Sequence, residues 1–298
     1  MKNGMIIAVV GLTALLFSSA GLTQQPSTRG DGDSKQVNRI TVEQVQALYA
    51  GGVAAKAGGV VRVDKSAFEA GSGLIAFDEV PLGTINPVYA PGDYGGGASN
   101  PTVSFGGFFQ GQRLGAAAEC PPGAALTGCV VDSPANPLAL DPASPNAYTV
   151  NDSANPTSPV LSGSPLFNGP IAIVFDTDQA GVGLDGGFFD DINSTAITAF
   201  ARNGSIIGTV TNEATGIEFL GLATADGSNS IAGLLFSLVG NEASGFAIDN
   251  VYFGKQGAVT VPGGPGIATH TVVPAMNIVG LFLLLLLLGG VGVVALRR

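Results

Sequence analysis

TAITAFARNGSIIGTV, residues 195–210, holds two apolar runs rich in Ile, Val and Thr on either side of Asn203 and Gly204. Asn-Gly tolerates the positive φ angles of a type I′ turn, and β-branched residues favour strands, so the stretch predicts a β-hairpin with Thr198 near Ile207. The flanking sequence has the same character. IAIVFD (171–176), IEFLGLA (217–223), IAGLLFSLV (231–239) and GFAIDNVYF (245–253) are short apolar runs at sandwich spacing, and Asp226 with Gly227 turns the chain between two of them. The pattern predicts an all-β, antiparallel β-sandwich over residues 59–254.

Composition agrees with that class. Charged residues make up 11% of the 298, and the 45 glycines are about twice the usual share, which suits strands and tight turns rather than long surface helices. A formal net charge of −10 repels phosphate backbones and argues against a nucleic-acid partner. One short helix is expected within residues 41–58, where Thr41 and Gln44 form a capping box ahead of Val45, Leu48 and Tyr49.

The strand pattern is interrupted between residues 111 and 170 by a proline-rich insertion. It carries both cysteines of the chain, Cys120 and Cys129. In an oxidising compartment the pair is expected to form a disulfide; the alternative, a metal or redox pair, has neither a CxxC spacing nor a neighbouring His behind it.

Both ends read as targeting segments. Residues 1–20 combine Lys2, an apolar run from Met5 to Phe17 and the small residues Ser18, Ser19 and Ala20, the layout of a secretory signal removed by signal peptidase after engaging the export machinery. A polar leader follows over residues 21–40. It includes Arg29-Gly30-Asp31, a tripeptide short enough to arise by chance. At the other end, a Gly/Pro linker (255–273) leads to residues 274–298. There Ile278–Leu296 is nineteen residues without a charge, long enough as a helix to cross a hydrocarbon core of roughly 30 Å, with Arg297 and Arg298 as a stop. A transmembrane helix is expected, either as a plain anchor or as part of a sorting tail.

Val273, Pro274, Ala275 and Met276, the apolar span and the terminal arginine pair resemble the PEP-CTERM-like tails processed by exosortases, in their VPTL or IPTL form, with Ala275 and Met276 where Thr and Leu are more usual. This resemblance implies an inner-membrane precursor whose tail is removed and whose body passes to the cell surface or extracellular matrix. Without Lys2, Arg297 and Arg298 the chain keeps nine basic against 22 acidic residues, which favours divalent cations over anionic partners.

LIAFDEVPLGT (74–84) and GFAIDNVYFG (245–254) resemble the opening and closing strands of MAM-type and carbohydrate-binding jelly-roll modules, and the likeness extends over residues 74–254. It implies a structural calcium between Asp78 or Glu79 and Asp249, with Asn250 where the family has a second closing acid. Alternation along the last strand independently puts Asp249 on one face with Ala247, Val251 and Phe253, where a bare carboxylate is costly; the other possibility is that Phe246, Ile248 and Tyr252 form the buried face. Asp185, Asp190 and Asp191 make a further acidic loop, without EF-hand spacing.

Catalysis has little support, because the single histidine, His270, lies in the linker and no Ser-His-Asp or Cys-His set can assemble in the core. Two noncatalytic functions fit. One is binding of extracellular polysaccharide, with Tyr89, Tyr94 and Tyr148 as candidate stacking residues. The other is a structural role in the envelope or matrix.

Overall fold

A computed structural model describes residues 59–263. The segments read as a signal, a polar leader and a short helix within residues 41–58, and the expected sorting tail with Val273, Pro274, Ala275, Met276, Arg297 and Arg298, lie outside the described residues. No helix among the described residues is long and apolar enough to cross a membrane.

The chain forms β1 (Val60–Arg62), β2 (Gly73–Ile75), β3 (Val88–Tyr89), β4 (Val103–Gly106), β5 (Arg113–Leu114), β6 (Val130–Val131), β7 (Ala147–Val150) and β8 (Val160–Gly163). It continues with β9 (Ile171–Gln179), β10 (Gly181–Phe189), β11 (Thr195–Phe200), β12 (Ile206–Thr211), β13 (Gly216–Thr224), β14 (Ile231–Leu238) and β15 (Ala247–Gly254). A seven-stranded sheet has the order β1-β13-β10-β15-β8-β7, with β2 also paired to β15; a six-stranded sheet has the order β12-β11-β14-β9-β4-β3; β5 and β6 pair separately. All of these pairings are antiparallel.

The sandwich follows from period-two burial. Ile171, Ile173 and Phe175 of β9 and Leu234, Phe236 and Leu238 of β14 meet Val182 and Leu184 of β10, Leu220 and Leu222 of β13, and Val251 and Phe253 of β15 in one core. Apart from the β11–β12 hairpin, successive strands from β8 to β15 alternate between the two sheets, so each connection crosses an end of the sandwich. The proline-rich insertion supplies β7 and β8 to the seven-stranded sheet, its prolines lying between the ladders rather than in them.

The predicted hairpin is present with a different turn and register. Thr198 faces Thr209, their hydroxyls 3.0 Å apart, and Ile207 is the extra residue of a bulge between the Ala199–Gly208 and Phe200–Ile206 pairs. Only Gly204 of the turn pair takes a positive φ, 80°. The Asn203 side chain accepts hydrogen bonds from the Ser205 amide and hydroxyl, which holds a wider loop in place of the expected type I′ turn.

Loop segments and side chains cover parts of both flanks of the sandwich. Amides of Gly83 and Asn86 donate to the carbonyls of Thr149 and Ala147, covering the edge of β7, and the Phe105 amide donates to Pro87. On the other flank Val60 packs where a side chain at Gly208 would lie, and Arg62 reaches the Thr211 carbonyl and Glu218.

Candidate functional site

The outer face of the seven-stranded sheet gathers the polar and aromatic side chains. Asp185 on β10 lies between Phe219 on β13 and Asp249 on β15 as direct cross-strand neighbours, and Tyr252 lies opposite Gly183. A Cβ at Gly183 would fall 2.4 Å from the Phe219 ring, so glycine there lets the ring lie flat on the strands. A 3-10 turn, Lys65–Ala67, then brings Phe68 onto the same surface. Phe68, Phe219 and Tyr252 have ring centroids 5.6–6.1 Å apart, all half-buried. The Lys65 ammonium sits 5.4 Å from the centre of the Phe219 ring and 5.5 Å from that of Tyr252, and 2.7 Å from the Asp185 carboxylate. Such a cation is worth about 0.5–1 kcal/mol over exposed rings.

A bulge sets the rest of the network. Between the Gly183–Tyr252 and Asp185–Asp249 pairs β15 has one residue more than β10, and Asn250 takes φ 46°. The extra residue reverses the alternation. Phe246 and Ile248 point into the core below it, and Val251 and Phe253 above it. Asp249 therefore does not share the face of Val251 and Phe253, as regular alternation predicts; it lies on the outer side and is fully buried there beneath the loop between β7 and β8. Its carboxylate accepts hydrogen bonds from the Thr157 hydroxyl (2.5 Å), the Asn250 amide (2.7 Å) and side chain (3.1 Å), and Asn155 (3.4 Å). Asn250 also donates to Asp185 at 3.0 Å. Burial pushes the Asp249 carboxyl up to about 6; the bonds from Thr157 and Asn250 oppose the shift, and the charge of Asp185 adds to it.

Asp78 and Glu79 are not part of this network. They are exposed on the turn after β2, where Glu79 accepts from the Ala76 amide at 3.1 Å. The first and last core strands are neighbours, with Ile75 opposite Val251, yet the carboxylates at their ends point to different partners. Among the described residues no three acidic, His or Cys side chains form a metal-binding group.

The three tyrosines are dispersed. Tyr89 is fully buried in an aromatic cluster with Phe77 and Phe105 and cannot stack on an external ligand, because β3 turns it into the core. Burial, and then the charges of Glu79 and Asp78, raise its phenol well above the ordinary value. Tyr94 donates to the Pro101 carbonyl and packs edge-on against Phe253; burial and then Asp176 push it up to about 12. Tyr148 is half-buried on edge strand β7 beside Ile85. Cys120 and Cys129 are disulfide-bonded, their Cα atoms 6.0 Å apart.

Sequence reasoning missed Phe68, Phe219, Tyr252 and Lys65 as a group. The available signal was the alternation of Phe219 and Gly221 with Leu220 and Leu222 on β13, which puts an aromatic residue on the solvent side. Compared with known proteins, the chain matches no family model and no curated sequence.

Proposed function

We propose that this chain is an exported, noncatalytic jelly-roll module that binds an uncharged extracellular polysaccharide on the outer face of its seven-stranded sheet. The observation that carries the reading is the group of Phe68, Phe219 and Tyr252 beside hydrogen-bonding Lys65 and Asp185, the pairing of apolar ring faces with polar groups that sugars use. The alternation of β8 to β15 between the sheets supports the jelly-roll assignment. The signal segment and the exosortase-like tail support delivery through the inner membrane to the cell surface or matrix.

The choice of an uncharged ligand rests on the ion pairs. Of the five Lys and Arg residues described, Arg62, Lys65, Arg113 and Arg202 are paired with carboxylates, and Lys255 is engaged by the Ser99 carbonyl. A uronate or sulfate would compete with these partners on an acidic surface. Asp249 has a raised pKa beside Asp185, the pairing of a glycosidase acid and its partner, but it is fully buried and out of reach of a glycosidic oxygen.

Affinity electrophoresis of the full chain in mild detergent, through gels carrying neutral or uronate polysaccharides, tests the proposal. A neutral polymer should retard the wild type, and Phe219→Ala with Tyr252→Ala should lose about tenfold or more in affinity while keeping a cooperative melt. Retention of the variant equal to the wild type, or no retardation by any polymer, overturns the assignment.

A further inference from the structure

The described residues expose ten large hydrophobic side chains, and five of these lie at one end of the sandwich: Leu126, Leu166 and Ile192 in loops, Phe188 at the end of β10 and Ile217 at the start of β13. Hydrogen bonds join those loops into one surface. The Phe188 amide donates to Gly245, whose own amide donates to Phe167; the Asp190 amide donates to Glu242, and the Ala125 amide to the Glu242 carbonyl. Asn193 ties the loop after β10 to Asn212. Scattered apolar residues need no explanation, but half of the exposed set on one joined group of loops does.

The free charge of this end is acidic. Residues 120–129, 164–170, 188–194, 212–217 and 239–246 contain Asp190, Asp191, Glu213 and Glu242 and no Lys or Arg; Glu213 is paired with Arg62 of β1 at 3.2 Å and Glu242 is fully buried, which leaves Asp190 and Asp191. Among the described residues Asp190 is exposed and makes no ion pair, and the Asp191 carboxylate accepts only from the Ile192 amide at 2.9 Å and the Asn241 side chain at 3.2 Å. The described chain both enters and leaves at the opposite end. There Gly59 accepts from the Ala225 amide, and Val261 lies beside Gly227. The loop end is thus opposite the end at which the described residues begin and finish.

We propose that this end is a docking surface for a basic, amphipathic segment of another protein. Apolar side chains of such a segment would cover Phe188 and Ile217 while its Lys or Arg residues meet Asp190 and Asp191. A second copy presenting the same end would set these acids against themselves, and an anionic lipid surface would be repelled in the same way.

The test uses the full chain in zwitterionic detergent and, as probe, a fluorescein-labelled amphipathic Leu/Lys peptide, with the matching Leu/Glu peptide as comparison and empty micelles as blank. The Leu/Lys peptide should bind about tenfold or more tightly than the Leu/Glu peptide. Phe188→Ser with Ile217→Ser should weaken it by a similar factor, and Asp190→Asn with Asp191→Asn should remove most of its salt dependence. Ile85→Ser, on the far flank, should leave binding unchanged, and unaltered melting shows that the variants are folded. Equal binding of both peptides, or binding indifferent to the loop-end variants, overturns the proposal. So does self-association of the wild type abolished by Phe188→Ser, which would make this end a contact between copies.

Discussion

On the outer face of the six-stranded sheet, Ala172, Phe200, Ala232 and Leu235 are roofed by Phe108 and Phe109, just after β4, and by Leu138 from the proline-rich insertion, making a second apolar core. On the outer face of the seven-stranded sheet, Phe219 and Tyr252 have only Phe68 and Lys65 above them, with Asp185 and Asp249 alongside. The two faces have the same pleat and the same antiparallel ladders. What differs is the cover. Where that cover crosses, the outer residues are apolar and Gly233 lets Phe109 and Leu138 approach the backbone; a Cβ there would fall 3.1 and 2.8 Å from them. Where only a 3-10 turn and a short loop cross, aromatic rings and charges take their place, and that face keeps groups that a ligand can reach.

The largest effect should come from opening the covered face. Phe109 is fully buried there against Phe200, with ring centroids 5.4 Å apart. Phe109→Ala should cost about 3–5 kcal/mol in denaturant unfolding. Phe219→Ala on the open face should cost less than half of that, and equal losses would erase the contrast between the faces.

Next comes the clip within the insertion. The disulfide closes a short loop whose Ala125 and Gly128 contact Glu242 and Leu238 at the sandwich end. Cys120→Ser with Cys129→Ser should lower stability by about 2–3 kcal/mol by loop-closure entropy. If the pair anchors the cover of the six-stranded sheet, hydrogen exchange should rise in the insertion and remain unchanged around Asp185 and Phe219. A uniform rise across both faces would show that the insertion is not an independent roof.

The smallest effect concerns the open face. Asp249 has a folded-state pKa of about 6, above its ordinary 3.8, so the folded state holds the proton more tightly than the unfolded chain. Its contribution is fully present below about pH 4 and is lost as the pH rises through about 6. Between pH 4 and 7 the wild type should therefore lose about 1–2 kcal/mol relative to Asp249→Asn, measured as the difference between their urea midpoints at each pH. Because hydrogen-bond donors satisfy this carboxylate, added calcium or chelator should leave both melting curves in place. A calcium-dependent shift in the wild type that vanishes in Asp249→Asn would replace the hydrogen-bonded network with a metal site.

The residues themselves determined a good deal. Period-two apolar runs marked the strands from Ile171 onward, Asn203-Gly204 and Asp226-Gly227 marked where the chain turns, and two cysteines with neither a CxxC spacing nor a neighbouring His marked a disulfide. These are local properties, carried by side-chain volume, backbone φ preference and redox chemistry, and they do not depend on what packs above them. The position of Asp249 was not local. One bulge residue, Asn250, moves it from the face of Val251 and Phe253 to the outer face, and alternation read along a single strand does not show where a partner strand omits a residue. The insertion likewise read as prolines that interrupt pairing, whereas it contributes β7, β8 and, through Leu138, part of the roof over the six-stranded sheet. Tyr89 and Phe219 are both aromatic residues on apolar strands, and only the packing of the sheets puts one in the core and the other on the surface. The group formed by Lys65, Phe68, Asp185, Phe219 and Tyr252 draws on three strands and a turn far apart in the chain. It is decided by sheet order and register, which long-range pairing sets and no short stretch of sequence encodes.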